Sequence, residues 1–100
     1  MTIRIHSPFQ LSEQLQLQIN DQAERLQRFF DRIISTEVYF QETPAGQTKL
    51  SNKEVALKVH FMRRVLYASE CAKNYEDALR NVIEKMRTQL RAYENEMKIV

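Results

Sequence analysis

The sequence predicts an α+β fold, a two-layer sandwich of element order β-α-β-β-β-α in which a four-stranded sheet carries two helices on one face. Three observations lead there. Apolar and polar residues alternate in short stretches such as "TIRIH" and "EVALKVHFM", the period-two pattern of strands packed on one side. Over two longer stretches apolar residues instead recur at steps of three and four, the period of a helix with one buried stripe. The turn-forming residues gather mainly in one polar segment, "ETPAGQTKLSN".

The elements follow in order. In residues 2–6, Ile3 and Ile5 take one side and Arg4 the other, giving a first strand. Pro8 interrupts it, and the Ser12 hydroxyl is placed to cap the free N–H groups of a helix start. Leu15, Ile19, Ala23, Leu26 and Phe30 then mark the stripe of a helix over about residues 12–32. From Ser35 the period returns to two, with Thr36, Val38 and Phe40 alternating with Glu37, Tyr39 and Gln41 in a second strand. Residues 42–52 read as a loop. Val55, Leu57, Val59 and Phe61 share one face of a third strand and Lys58 and His60 the other. After Arg63 and Arg64, where the chain must reverse, "VLYASECA" makes a fourth strand whose two sides both contain apolar residues. Its inward side stays open. Asn74 caps the second helix with Asp77 in a capping-box-like position. Tyr75, Ala78, Leu79, Val82, Ile83, Met86, Leu90, Tyr93 and Met97 keep helical spacing to the end.

If the first two strands are parallel, a right-handed crossover joins them, hairpins join the others, and both helices fall on one sheet face. One hundred residues with 43% apolar content suit a single core, so residues 1–100 are expected to form one domain. The 28% charged residues are mixed in sign, and the formal net charge is +2. No stretch reaches the roughly 18 apolar residues of a membrane span, and no apolar run marks a secretory leader. A cytoplasmic protein without membrane contact is expected. Cys71 stands alone, which excludes an internal disulfide and a Cys-rich zinc site and reads as a small buried thiol.

Charge patterning is the main functional signal. With about 100° per residue, Arg80, Arg87, Arg91 and Lys98 fall in a band roughly 40° wide beside the second helix's apolar stripe. They span about 27 Å of axis, enough to pass several phosphates. Arg25, Arg28 and Arg32 repeat the device on the first helix. A planar guanidinium holds a phosphate by two bonds or stacks on a base, so the pattern points to RNA. The competing reading is an ordinary solvated flank, since Glu84 and Glu94 lie near the same band. Catalytic groups are scarce: His6 and His60 are solitary, Glu and His never recur at metal-ligand spacing, and no Gly-rich phosphate loop or nucleophile elbow occurs. No enzyme, cofactor, metal or small-molecule substrate is expected.

Four segments carry a family resemblance. "RLQRFF" at residues 25–30 resembles an Arg-Leu-x-Lys-Leu segment, "YAS" and "KNYEDAL" follow in order, and "KMRTQL" is similar to Lys-x-x-x-Gln-Leu. Together they resemble the ribosome hibernation promoting factors, which include the ribosome-associated inhibitor and were once called sigma-54 modulation proteins. The resemblance spans nearly the whole chain. It implies a protein that binds rRNA in the decoding channel of the small ribosomal subunit through basic helix surfaces and shuts out mRNA and tRNA. It also implies that Arg25, Arg28 and Lys85 occupy basic family positions and that Gln89 and Leu90 are the signature pair. Lys85 lies on the opposite flank from Arg80, Arg87 and Arg91, so pattern and resemblance choose partly different residues. Thr88, Ala92, Glu94 and Glu96 stand where the family often carries cations, which implies weaker, less salt-sensitive binding. With a chain ending at Val100, the pairing of ribosomes seen in longer members is not expected. Two alternatives remain: a protein-interaction module using an open sheet face with Tyr39, Lys58, His60 and Met62, and a reader of double-stranded RNA.

Overall fold

The computed structural model describes residues 2–42 and 53–99, with side chains as far as residue 96. Its elements are β1 (Thr2–His6), α1 (Glu13–Phe29), β2 (Ile33–Glu42), β3 (Lys53–Phe61), β4 (Arg64–Ala72) and α2 (Tyr75–Ile99). The sheet order is β1-β2-β3-β4. β1 pairs with β2 in parallel, and β2–β3 and β3–β4 are antiparallel. The predicted α+β architecture and element order are therefore observed. Glu42, expected in a loop over residues 42–52, is instead the last residue of β2, and residues 43–52 lie outside the described residues.

Both helix starts are capped as their sequences require. The Leu15 N–H donates to Ser12 Oγ at 3.1 Å, and the Asp77 N–H donates to Asn74 Oδ1 at 2.8 Å. Each side chain takes up one of the donors that a first helical turn leaves without a partner. α1 stops at Phe29, earlier than the predicted end near residue 32, because Phe30 leaves the helical region (φ −130°, ψ 80°). That departure lets Ile33, buried and paired with Phe61, open β2 two residues sooner than expected. A register shift between Ile33 and Ser35 turns Ile34 outward. Ile34 is exposed in consequence.

One core joins the layers: Leu15, Ile19, Leu26 and Phe30 of α1 and its cap, Leu79, Val82, Met86 and Leu90 of α2, and Val38, Phe40, Val55, Leu57, Val59 and Phe61 of the sheet. Register settles the side of β4 that periodicity left open. Leu66 opposes Val59 and Ala68 opposes Leu57, and directly opposed residues share a sheet face. Leu66, Ala68 and Ala72 therefore face the helices. Val65, Tyr67 and Cys71 face outward. Cys71 is accordingly half-buried on the outer face rather than a buried core thiol, with Sγ 3.9 Å from Glu54 Oε2. Met62 also departs from expectation. It sits in the β3–β4 turn at φ 59° and packs against the core, leaving Tyr39, Lys58 and His60 on the open face without it.

Candidate nucleic-acid interface

The two helices lie side by side and run in the same direction. Near their starts, Gln18 Nε2 donates to the Glu76 carbonyl at 3.2 Å, 58 positions along the chain. Near the end of α1, the Arg87 guanidinium sits 5.5 Å from the centre of the Phe29 ring, at the same sequence offset. Arg28 is therefore roughly level with Met86, whereas Arg32, expected on the flank of α1, lies past its end in the turn before β2. The Arg87–Phe29 contact brings the arginine-bearing flank of α2 against α1.

The arginines divide by their partners. Arg25 pairs with Asp21 at 3.4 Å, Arg80 with Asp77 at 3.3 Å and Arg87 with Glu84 at 3.5 Å. Each pair lies within one helix at i,i+3 or i,i+4; the Arg25 and Arg80 pairs are largely solvated and worth only about 0.3–0.5 kcal/mol each, while Arg87 is mostly buried. A competing phosphate displaces such a carboxylate at little cost. Arg28, Arg32 and Arg91 have no carboxylate within ion-pair distance among the described residues, and all three are exposed. Arg28 also stands in the last turn of α1, where the helix dipole favours a cation. The salt-bridged flank and the free cationic edge both exist, on different residues.

Charge continues past the helices onto a segment that periodicity did not select. β3 ends at Phe61, which pairs with Arg64, so Met62 and Arg63 form the tip of a tight hairpin. Arg32 Nη1 lies 4.0 Å from Met62 Sδ, and the Arg64 guanidinium sits 4.8 Å above the Tyr93 ring of α2. Arg63 and Arg64 thus extend the basic end formed by Arg32, Arg87 and Arg91. An Arg-Arg pair at a chain reversal was the available signal.

Lys85 goes elsewhere. Its Nζ lies 3.4 Å from the Ser69 carbonyl, and Gln89 Nε2 donates to the Tyr67 carbonyl at 3.2 Å. Both carbonyls belong to β4, the last strand of the sheet, whose outer edge has no strand to accept from among the described residues. Spaced by four, Lys85 and Gln89 hold that edge while Leu90 is fully buried in the core. The structure thus separates this trio from the arginine flank of α2. Lys98 falls beyond the described side chains.

The open sheet face is chemically different. Glu37 lies at its centre, 3.8 Å from His6 Nε2, 3.9 Å from His60 Nε2, and accepts from the Tyr39 hydroxyl at 3.1 Å. Desolvation pushes the Glu37 carboxyl up, but the Tyr39 bond, Lys58 and the two histidines outweigh it and hold the group below the ordinary value. Desolvation, followed by the bond to Glu37, pushes the Tyr39 phenol up. His6 stacks on Tyr39 with centroids 4.5 Å apart. Beside them, Tyr39, Gln41, Glu54, Ala56, Lys58 and Tyr67 line an open cavity of about 310 Å³. Desolvation and the neighbouring Glu54 raise the Cys71 thiol, which disfavours the reactive thiolate. Among the described residues, no group of three or more His, Cys, Asp or Glu could hold a metal ion, and no helix is long and apolar enough to cross a membrane.

Fold order and surface together define a class: a small α+β domain that presents arginines from two parallel helices and from a hairpin tip beside them. The chain belongs to the Sigma 54 modulation protein / S30EA ribosomal protein family, whose model matches residues 3–98. This is a ribosome-associated family and not an enzyme family. The fold is similar to that of a ribosomal subunit interface protein from Coxiella burnetii, with TM-score 0.80 and 21% identity over 95% of this chain and 99% of that one. It is also similar to the N-terminal domain of Protein Y from Thermus thermophilus, with TM-score 0.70 and 14% identity over 92% of this chain and 94% of the other. No curated protein matches the sequence.

Proposed function

We propose that this protein binds the small ribosomal subunit through its rRNA, lies in the decoding channel, and inhibits translation by excluding mRNA and tRNA from the volume it fills. The observation that carries the reading is the convergence, among the described residues, of unpaired arginines at one end of the helix layer. Arg28 comes from the last turn of α1, Arg32 from the turn that follows it and Arg91 from α2, with Arg87 bridging the helices through Phe29. Guanidinium groups from separate elements, fixed on a packed core, suit a phosphate backbone whose charges are themselves fixed. Arg25 and Arg80 join once their short-range carboxylates yield. Membership of a ribosome-associated family supports the choice of polyanion. The description of one similar structure as a ribosomal subunit interface protein agrees with it. No bond is made or broken, since a rigid wedge competes with substrates by occupying space. Working on ribosomes, the protein acts in the cytoplasm.

Sucrose-gradient sedimentation of added protein with purified small subunits tests the reading, together with inhibition of cell-free translation. Co-migration at low salt and a dose-dependent fall in translation are the expected results. Failure to co-migrate at low salt overturns it. A second reading, a protein-interaction module, draws on the aromatic cavity of the open sheet face. Reversing charge at Arg25, Arg28 and Arg87 separates the two, because binding that survives cannot use the helix layer.

A further inference from the structure

Phe29 is the most exposed of the large apolar residues described, at 69%. Single exposed apolar side chains are common and need no explanation alone. This one borders a cavity of about 200 Å³ whose other walls are Phe30, Arg87, Arg91 and Glu94. Phe30 makes a rigid floor, buried and packed edge-on against Phe61. Arg87 lays its guanidinium over the Phe29 ring, while its Nε is buried and finds no acceptor among the described protein atoms. Among the described residues, Arg91 and Glu94 make no ion pair, although opposite charges line the same small space. The site therefore combines a flat apolar surface, a stacked cation with an unused donor, a free cation and a free carboxylate.

From this we infer that the cavity holds one unpaired RNA base. The inference rests on the helix layer being an RNA-binding surface and adds to it a stacking contact that phosphate binding does not require. A volume below the roughly 300 Å³ where pockets for larger ligands begin suits a single base. The base stacks on the Phe29–Arg87 pair, as unpaired RNA bases do on aromatic rings and guanidinium planes. Arg91 meets the adjoining phosphate. The Glu94 carboxylate is acceptor-only and favours a base edge that offers an exocyclic amine. Adenine, cytosine and guanine offer one, whereas uracil offers only its N3–H, flanked on both sides by carbonyls that the carboxylate repels. The site thus selects against uracil.

The chain contains no Trp, so Phe29→Trp places a single reporter in the wall. Titration with hexamers of A, C and U should quench its emission, with A and C binding several-fold more tightly than U, and Glu94→Gln should erase that preference. Phe29→Ala should weaken subunit binding by about 5- to 160-fold, the fold-change that corresponds to the loss of one stacked base. The salt dependence should stay unchanged, since no charge is removed. Phe29→Leu, which keeps apolar bulk, should behave like Phe29→Ala if stacking is the contact. A Phe29→Ala protein binding subunits within twofold of wild type, or tryptophan emission from the Phe29→Trp variant that is indifferent to every oligonucleotide, overturns the inference and leaves the wider reading standing. Wild-type protein that does not bind subunits at all defeats the wider reading instead.

Discussion

Replacing Arg28, Arg32 and Arg91 together by Gln removes the exposed helix-layer arginines that have no carboxylate partner among the described residues. If each guanidinium neutralises one phosphate, each contributes about 0.7 to 0.9 to the slope of log affinity against log salt. Three such contacts make wild-type binding fall by roughly 20- to 40-fold more than that of the triple variant when salt rises from about 50 to 200 mM. The assay is co-sedimentation with purified small subunits at both salt concentrations, fitted for affinity. Folding should survive, because exposed substitutions usually change stability by within about 0.5 kcal/mol each. Arg28 costs slightly more, since it also complements the dipole at the end of α1. A circular-dichroism melt checks that point. A folded triple variant with the wild-type ratio of affinities refutes the assignment of these arginines to phosphate. Arg25→Gln or Arg80→Gln alone should move the ratio less, because each cation must first leave Asp21 or Asp77.

Three further outcomes test the scaffold beneath this surface. Leu90→Ala, at a fully buried position, should lower unfolding free energy by about 2–5 kcal/mol in urea titration. Gln89→Ala removes the donor to the Tyr67 carbonyl and should cost about 0.5–1.5 kcal/mol while leaving the salt dependence of subunit binding intact. Glu37 has a folded pKa below its ordinary value, so its stabilising contribution is present above the usual glutamate value of about 4.3 and is lost as pH falls through the folded one. Thermal melts between about pH 6 and pH 3 should show wild type losing its advantage over Glu37→Gln across that acid range, and parallel curves would refute the role given to the carboxylate.

Much of the fold was legible because local rules and tertiary structure agree. Ser12 and Asn74 cap the helices they precede, and the buried faces of α1 and β3 follow their periods. What stayed closed depended on pairing between distant segments. Both sides of β4 carry apolar residues, so only its register against β3 assigns Leu66 and Ala68 inward and places Cys71 outside. The end of α1 was overrun because Phe30 is apolar at helical spacing yet serves as the cap, its side chain still reaching the core. At the site, spacing found the arginines but could not tell which were paired. Arg25 pairs with Asp21, whereas Arg28, with Glu24 likewise four residues before it, makes no ion pair among the described residues, so spacing alone does not decide the pairing. Phe29 carries no signal in the sequence, because its exposure has meaning only beside Arg87, 58 residues away in the chain.

The divergence between charge pattern and family signature on α2 has a structural cause. A helix packed on a sheet beside a second helix has two flanks with different neighbours, and here one meets α1 while the other meets the outer edge of β4. Lys85 and Gln89 point to the edge carbonyls of Ser69 and Tyr67, and Arg87 points to Phe29. Four-residue spacing keeps each set on its own flank. A Lys-x-x-x-Gln-Leu pattern can thus be retained for closing a sheet edge, independently of how many cations the other flank displays. Positions 88 and 92 carry Thr and Ala where cations were anticipated, and both are exposed, so the solvent-facing side of α2 is thinner in charge. Arg63 and Arg64 on the hairpin restore positive charge at the same end of the molecule, Arg64 through its contact with Tyr93 of α2. The basic surface of this chain is therefore displaced from the outer side of α2 toward the helix–helix seam and the β3–β4 tip. A footprint on rRNA should follow that displacement rather than the line of α2 alone.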